Sequence, residues 1–495
     1  MKSKNKWTFI RIVLVVYLSV FITAPAVFAQ AQSDSRKSLQ NMQYLQYLYE
    51  FLQQNYVDPV DQDVLYRGAM AGMLNALQDP YTVYIDNDSL TGVDLHDTTT
   101  GFFGGIGVTF IKPAVSTPEK PAYVEVSSPI EDTPSWQAGI QAGDFITEIE
   151  GQSTIEMTNT DVVAKLRGKI GSPVTITIRR GKTMEFPVKL TRAKIEVPTI
   201  KYTKIDKNIG YIRLIEFNPN SYPRIRDAMT ALQNEGVSRF ILDLRNNPGG
   251  LLDAAVDTAS LFIKEGTVVS TKSRIPEQNT VYNTNPDIAP LFADAPLITL
   301  INKGSASAAE ILAGALKDHK RSYLIGETSF GKGVVQTVIN LTKRDSFKMT
   351  ISRYYTPSDA NIDKLGIQPD KEVLPFPALS TAEEKGLEQL FKDKKIADLV
   401  KNSPALTFEQ ITEHAEKLAG AYGLTTALTR YLIRAEYNRA HTAPIADVNY
   451  DQPLQEAVHI LQSGTLTQLL QESKSVLQMQ EETLNAQEKG IKKAS

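Results

Sequence analysis

Two serines lie in the run Asn302-Lys303-Gly304-Ser305-Ala306-Ser307-Ala308-Ala309-Glu310, which follows the apolar stretch Leu297 to Ile301 and opens a segment of helical pattern. A hydroxyl on such a strand-to-helix turn is presented at the end of a sheet. The unpaired N–H groups of the helix start then face any negative charge that develops beside it. Ser307 is therefore a candidate nucleophile, by the physics of a nucleophile elbow but without its G-x-S-x-G pattern. Ser307 and Glu310 also have capping-box spacing, so the segment taken alone is more often a plain helix start.

A nucleophilic serine needs a base. The five histidines, His96, His319, His414, His441 and His459, show no metal-ligand spacing, and no HExxH occurs. Only His319 falls in the same region, about a dozen residues and ~18 Å further along the helix that Ser307 begins. Lysine is the remaining candidate. In Gly326-Glu327-Thr328-Ser329-Phe330-Gly331-Lys332-Gly333, two glycines flank Lys332. Enclosure there would lower its pKa and leave a neutral amine able to take the serine proton. The competing reading is an ordinary surface lysine in a turn. A phosphate-binding loop is excluded because Gly333 stands where Ser or Thr is required. A third segment, Asp243-Leu244-Arg245-Asn246-Asn247-Pro248-Gly249-Gly250, is expected to turn from strand to helix. Its Gly250 amide reads as half of an oxyanion hole, with the Ala308 amide as the other half; the alternative is a turn without a ligand.

The elements that must hold these residues are legible from pattern. Apolar runs alternate with helical stretches at Phe240 to Leu244, Leu251 to Phe262, Leu297 to Ile301 and Ala308 to Leu316, which predicts an α/β layered core with several parallel strands. Ahead of it, residues from Gly101 to Arg192 are punctuated by glycine and carry short β-branched runs, as a small β-rich domain would. Leu39, Met42, Leu45, Leu48 and Leu52, and then Leu65, Ala69, Met70, Met73, Leu74 and Leu77, predict two helices with one apolar face each before Asp79-Pro80. After Pro377 the chain reads as helical, opening on a Ser380/Glu383 capping box, and its last ~30 residues read as a frayed helix or tail. Lys2, Lys4 and Lys6 ahead of the apolar run Ile12 to Phe28 predict an export signal over residues 1–29, the alternative being an uncleaved anchor, although Pro25 breaks the run and it is shorter than the ~20 residues a spanning helix needs. With no cysteine in 495 residues, disulfides, thiolate catalysis and cysteine-zinc sites are excluded. A net charge of −3 favours no polyanionic partner, so no nucleic acid is expected.

Taken together, DLRNNPGG, NKGSASAAEILAGALKD, GETSFGKGVVQ and RYYTPSDANIDKLGIQPD, in that order, resemble the C-terminal processing peptidases, tail-specific Ser-Lys proteases of peptidase family S41. The resemblance spans about Leu48 to Pro375. It implies that Ser307 is the nucleophile, that Lys332 is the base, and that Gln336 holds the lysine amine by accepting a hydrogen bond from it. It departs from the family at Ala309, where a second serine is usual, and in TPSDANID, which lacks a glycine after the proline. The β-rich segment looks like a PDZ domain. Gly104, Gly105, Ile106 and Gly107 are similar to its carboxylate-binding loop, and Ala138 to Asp144 match the turn before a later strand. Resemblance to regulated relatives further implies that Arg167 links PDZ occupancy to assembly of the active site.

The fold class so implied is a multidomain α/β protein. A signal peptide (1–29) and an N-terminal helical region (30–98) precede a PDZ domain (99–193), a crotonase-like α/β peptidase core (194–378) and a C-terminal helical region with a tail (379–495). The function implied is an endopeptidase, exported to the periplasm or extracytoplasmic envelope of a bacterium, with apolar unstructured protein C-termini as substrates. No cofactor and no metal are implied. A homodimer through the terminal helices would cover their apolar faces, and an activating or adaptor protein is a further expected partner. Two rival readings are a catalytically silent PDZ adaptor, which would not need serine, lysine and glutamine together, and an acyl-processing enzyme, which would have little use for a PDZ domain.

Overall fold

A computed structural model describes residues 36–86, 103–113, 116, 121–130, 132–181, 184–195, 199–342, 345–376, 378–403, 405–440 and 443–494. The export signal expected over residues 1–29 lies outside the described residues. None of the described helices is long and apolar enough to cross a membrane.

Residues up to Ala76 form one compact unit and Leu77 onward a second. In the first, a helix over residues 36–55 is followed by the helix Gln62–Asn75, started by the Asp61 carboxylate accepting the Asp63 N–H at 2.8 Å. The expected apolar stripe is present and uncovered: Leu39, Met42, Leu45 and Leu48 are all exposed.

Within the second unit, the β-rich segment folds as an antiparallel sheet. Its main path runs Val108–Ile111, Val124–Pro129, Phe145–Ile149, Pro173–Arg180 and Met184–Thr191. Period-two alternation buries Val174, Ile176 and Ile178 on one face, against Val124, Val126, Ile146 and Ile149. The strand Val108–Ile111 lies at the edge of this sheet. The helix Asn159–Leu166 is started by a Thr158/Asp161 capping box, and the Arg192 guanidinium closes its far end by donating to the carbonyls of Lys165 (2.5 Å) and Leu166 (3.1 Å).

The following region builds the predicted parallel sheet. Ile209–Leu214, Arg239–Asp243, Leu297–Ile301, Tyr323–Gly326 and Lys371–Glu372 lie side by side, with Ile200–Asp206 antiparallel at one edge. Its central strands are apolar throughout because both faces are covered. Leu242, Leu297, Ile301 and Leu324 pack with the crossover helices Ser221–Asn234, Leu252–Ser260 and Ala308–Asp318. Ile241, Ile298, Leu300 and Ile325 pack instead with Leu454, Ala457, Ile460 and Leu461 of the helix Gln452–Ser463. The C-terminal region thus supplies one wall of the sheet. The last helix, Val476–Ala494, is anchored rather than a frayed tail: Val476 is in the core and its N–H donates to Asp318 Oδ1 at 2.8 Å.

A second, antiparallel sheet joins Val83–Asp86, Val334–Asn340, Asp345–Tyr355, Thr267–Ser273 and Thr280–Asn283. Its first strand comes from residues assigned by pattern to the N-terminal helical region. That strand brings Tyr81 and Thr82 onto the hairpin that follows Lys332.

Candidate active site

The two serines of the 302–310 run have different surroundings. Ser305 is fully buried and occupied: its hydroxyl donates to the Leu244 carbonyl (2.7 Å) and accepts the Asn302 N–H (3.0 Å). Ser307 is half-buried at the start of the helix Ala308–Asp318, with φ 56° and ψ −115°. A positive φ at a residue with a side chain costs on the order of 1–3 kcal/mol and is held only by well-fixed surroundings.

Those surroundings are two interlocked turns. Asn302 Oδ1 accepts the N–H of Asn246 (2.9 Å) and of Gly304 (3.0 Å), while its amide donates to Asn246 Oδ1 (3.1 Å). The Ala306 N–H donates to the Asn247 carbonyl at 2.9 Å. Gly249, at φ +103°, approaches so closely that a Cβ there would lie 2.7 Å from Ser307 Cβ and 2.9 Å from the Ala308 nitrogen; only glycine fits. Gly250 forms a parallel bridge to Phe217 that uses the Gly249 carbonyl (2.7 Å) and the Leu251 N–H (2.9 Å). The Gly250 N–H is not part of that pairing.

Glu310 is the residue whose role the sequence pattern under-reads. Its side chain is completely buried. It accepts from the Ser307 N–H (2.8 Å), as the capping box requires, and also from Ser329 Oγ (2.6 Å), the Gly331 N–H (2.7 Å) and the Lys332 N–H (2.8 Å). Oε2 alone receives the backbone N–H groups of both Ser307 and Lys332. Burial raises the Glu310 pKa to about 6, against the lowering effect of these four hydrogen bonds. The Ser-x-x-Glu spacing exposes the first bond; the other three need the 329–332 loop, which no local pattern places.

Lys332 sits in that loop, half-buried. A Cβ on Gly333 would lie 2.2 Å from the Asp363 nitrogen, so the flanking glycine serves close packing against the 362–366 segment. Burial lowers the Lys332 pKa, and the positive charge of Lys348 lowers it further, with Glu310 opposing. Lys348 and Gln336 share one face of the hairpin, since Gln336 pairs with Thr350 and Val338 with Lys348. The Lys332 amine stands 5.4 Å from the centroid of the Tyr81 ring. Among the described residues no hydrogen bond joins it to Ser307 or to Gln336. The Gln336 amide nitrogen donates to the Tyr81 carbonyl at 2.5 Å, whereas the contact implied with the lysine amine would use the side-chain oxygen. Asp79 fixes that turn by accepting the Tyr81 N–H (3.0 Å) and the Thr82 hydroxyl (2.6 Å). Asp79-Pro80, read from the sequence as a helix stop, therefore also delivers Tyr81 to the site. His319 lies at the opposite end of the Ser307 helix, bonded to the Thr267 carbonyl at 2.7 Å. Among the described residues no group of His, Asp and Glu could hold a metal.

In the β-domain, Gly104 and Gly105 pair with Lys194 and Ala193. The carbonyls of Gly104, Ile106 and Gly107 accept the N–H groups of Gly168 (3.1 Å), Ser135 (2.8 Å) and Ile130 (2.8 Å). Arg167 ends the helix Asn159–Leu166, and burial lowers its guanidinium pKa. Ser128, in the strand next to the edge strand, donates its hydroxyl to the Asn246 carbonyl at 2.7 Å and so ties this domain to the turn before Gly250.

Residues 208–373 match the model of peptidase family S41, residues 125–180 a PDZ domain, and residues 20–89 the N-terminal domain of the activating protease CtpB. A carboxy-terminal-processing protease of Bartonella bacilliformis is 38% identical over 371 residues, covering 73% of this chain and 82% of that protein. The chain belongs to peptidase family S41. This S41 peptidase is also 34% identical to a probable CtpA-like serine protease of Staphylococcus haemolyticus, over 74% of this chain and 72% of the other. Among solved structures it resembles a photosystem II D1 C-terminal processing protease, at 29% identity and a TM-score of 0.57 over 67% of this chain and 92% of that one. It is a serine-type peptidase of the carboxy-terminal-processing kind, with an α/β peptidase core, a PDZ domain and helical terminal regions.

Proposed function

We propose that this S41 peptidase is an exported endopeptidase in which Ser307 and Lys332 form a Ser-Lys pair fed by the PDZ domain. The observation that carries the reading is the shared Glu310 oxygen, which ties the backbones of Ser307 and Lys332 at 2.8 Å each. The neutral Lys332 amine, favoured by burial and by Lys348, takes the Ser307 proton as the hydroxyl attacks a peptide carbonyl. The N–H groups of Gly250 and Ala308 receive the oxyanion, the ammonium gives its proton to the leaving amine, and water then releases the acyl-enzyme. Lys332 reaches Ser307 by rotating its flexible stem away from Tyr81, with Gln336 then available to hold the amine.

An apolar protein tail adds as a strand to the edge Val108–Ile111, with its carboxylate at the loop of Gly104, Gly105, Ile106 and Gly107. Arg167 relays that occupancy. The exposed apolar stripe of the N-terminal helices supports pairing of two copies, and an activating protein is a further partner. The domain limits at 98/99, 193/194 and 378/379 and the export signal belong to the same reading. The test is cleavage of an unstructured polypeptide ending in apolar residues, with its C-terminus free or amidated, by the chain from Gln30 onward. Loss of charge-assisted hydrogen bonds is expected to raise KM about 10- to 100-fold for the amidated form; equal rates would remove tail recognition.

Two variants probe the pair. Glu310→Gln replaces one acceptor oxygen by a donor among four donors, so kcat is expected to fall about 100-fold with KM unchanged. An unchanged kcat would show that Glu310 only starts the helix. In Lys348→Met the positive charge that depresses the Lys332 pKa is gone, so that pKa rises. Because the reaction needs neutral Lys332, the rise of kcat/KM with pH moves to higher pH. A pH–rate profile that does not move would detach Lys348 from the mechanism.

A further inference from the structure

The helix Gln452–Ser463 lies beyond the S41 family match, yet Asp451, the residue that caps its start, reaches Arg245 at the turn that leads to Gly250. We propose that Asp451 is a positioning residue for that turn, acting through Arg245. The proposal rests on the reading of Gly250 as an oxyanion donor.

Asp243 ends the strand Arg239–Asp243 with no exposure at all. Its carboxylate accepts Tyr211 OH (2.7 Å), the Arg245 N–H (2.8 Å), and Arg245 Nε (3.0 Å) and Nη2 (2.5 Å). The other edge of the same guanidinium donates to Asp451, Nη1 to Oδ1 at 2.8 Å and Nη2 to Oδ2 at 2.6 Å. Arg245 is thus gripped on two edges by two carboxylates, and its side chain is only 13% exposed. A planar fork held on both sides has no freedom to swing. Arg213 adds a second cation to the cluster, with Nη2 3.4 Å from the Arg245 carbonyl.

From Arg245 the chain passes at once into Asn246, at φ 56°, and on to Gly249 and Gly250. Each step is pinned. Asn246 is held by Asn302 and Ser128, and Asn247 donates to the Leu214 carbonyl (2.8 Å) and accepts the Gly249 N–H (2.9 Å). Asp451 is the pin supplied by the C-terminal region, whose helix is seated on the sheet by Leu454, Ala457, Ile460 and Leu461. A helical region outside the peptidase core thereby sets the geometry of the Gly250 N–H.

Asp451 also caps its own helix, accepting the Leu454 N–H at 3.1 Å, and two substitutions separate the roles. Asp451→Asn keeps a good cap and loses the charge; Asp451→Glu keeps the charge and is a poorer cap. Expected for Asp451→Asn is a kcat about tenfold lower at unchanged KM, on the order of one lost charge-assisted bond, with Asp451→Glu recovering most of it. Hydrogen exchange of the 245–250 backbone is expected to be faster in Asp451→Asn than in wild type. Wild-type kcat in Asp451→Asn, equal loss in both variants, or unchanged exchange in the turn would each overturn the proposal. The exchange measurement needs no turnover, so it decides on Asp451 even if Ser307 proved not to be the nucleophile, which Ser307→Ala tests separately.

Discussion

Lys332→Met is expected to lower kcat about 10⁴-fold or more while the protein still binds polypeptide, because in the proposed mechanism it removes the group that takes the serine proton. Three other titratable groups of this region are unsuited to that task. Tyr81 is pushed well above the ordinary phenol range by burial and by the carboxylates around it, so it stays protonated. Glu310 has its oxygens filled by four donors. His319 is at the far end of the helix. Lys332→Arg separates the proton from the charge: arginine keeps the positive charge but cannot act as a base near neutral pH, so it should fail as badly as methionine. The check is single-turnover cleavage beside a binding measurement on each variant. An arginine variant that cuts within tenfold of wild type would mean that Lys332 serves as a cation.

The layered core was legible because its central strands, such as Arg239–Asp243 and Leu297–Ile301, are short apolar runs followed by helical stretches. Leu297 to Ile301 followed by Ala308 to Leu316 is a strand, turn and helix in the structure as in the pattern. The closeness of the 243–250 turn was legible in its glycines, since Gly249 meets Ser307 at a distance no side chain permits. What stayed hidden depends on contacts distant in sequence. Glu310 looks like half of a capping box until the 329–332 loop folds onto it. Tyr81 lies 251 residues before Lys332 and is brought there by the strand Val83–Asp86, a four-residue segment with too little pattern to announce itself. The final helix reads as a frayed helix or tail because its composition is rich in Gln, Glu and Lys; it is held to the core through Val476, Leu477, Gln480 and Thr483. Arg245 and Asp451 are 206 residues apart, and nothing in either local sequence pairs them.

The arrangement at Gln336 illustrates the limit of motif reading. The motif carries the residue type and its place after Lys332, whereas the direction of the amide follows from a neighbour outside the motif, the Tyr81 carbonyl. A side-chain amide donates through its nitrogen and accepts through its oxygen, so the bond to Tyr81 and the contact proposed with the Lys332 amine use different atoms.

Ser307→Ala separates a serine nucleophile from every other reading of this site. Losing the hydroxyl removes the bond-forming atom and leaves Asn302, Ser305 and Glu310 to hold the turn through other atoms, so the fold and polypeptide binding should survive. Only stabilisation of the tetrahedral intermediate would then remain, and the rate should drop by about 10⁴- to 10⁶-fold. Wild type and variant are each incubated with an unstructured polypeptide of apolar C-terminus, and the products are read by mass spectrometry. Defined cuts are expected from wild type and, for Ser307→Ala, the intact polypeptide bound with wild-type affinity. Cuts at the same bonds and a similar rate in both proteins would contradict a Ser307 nucleophile.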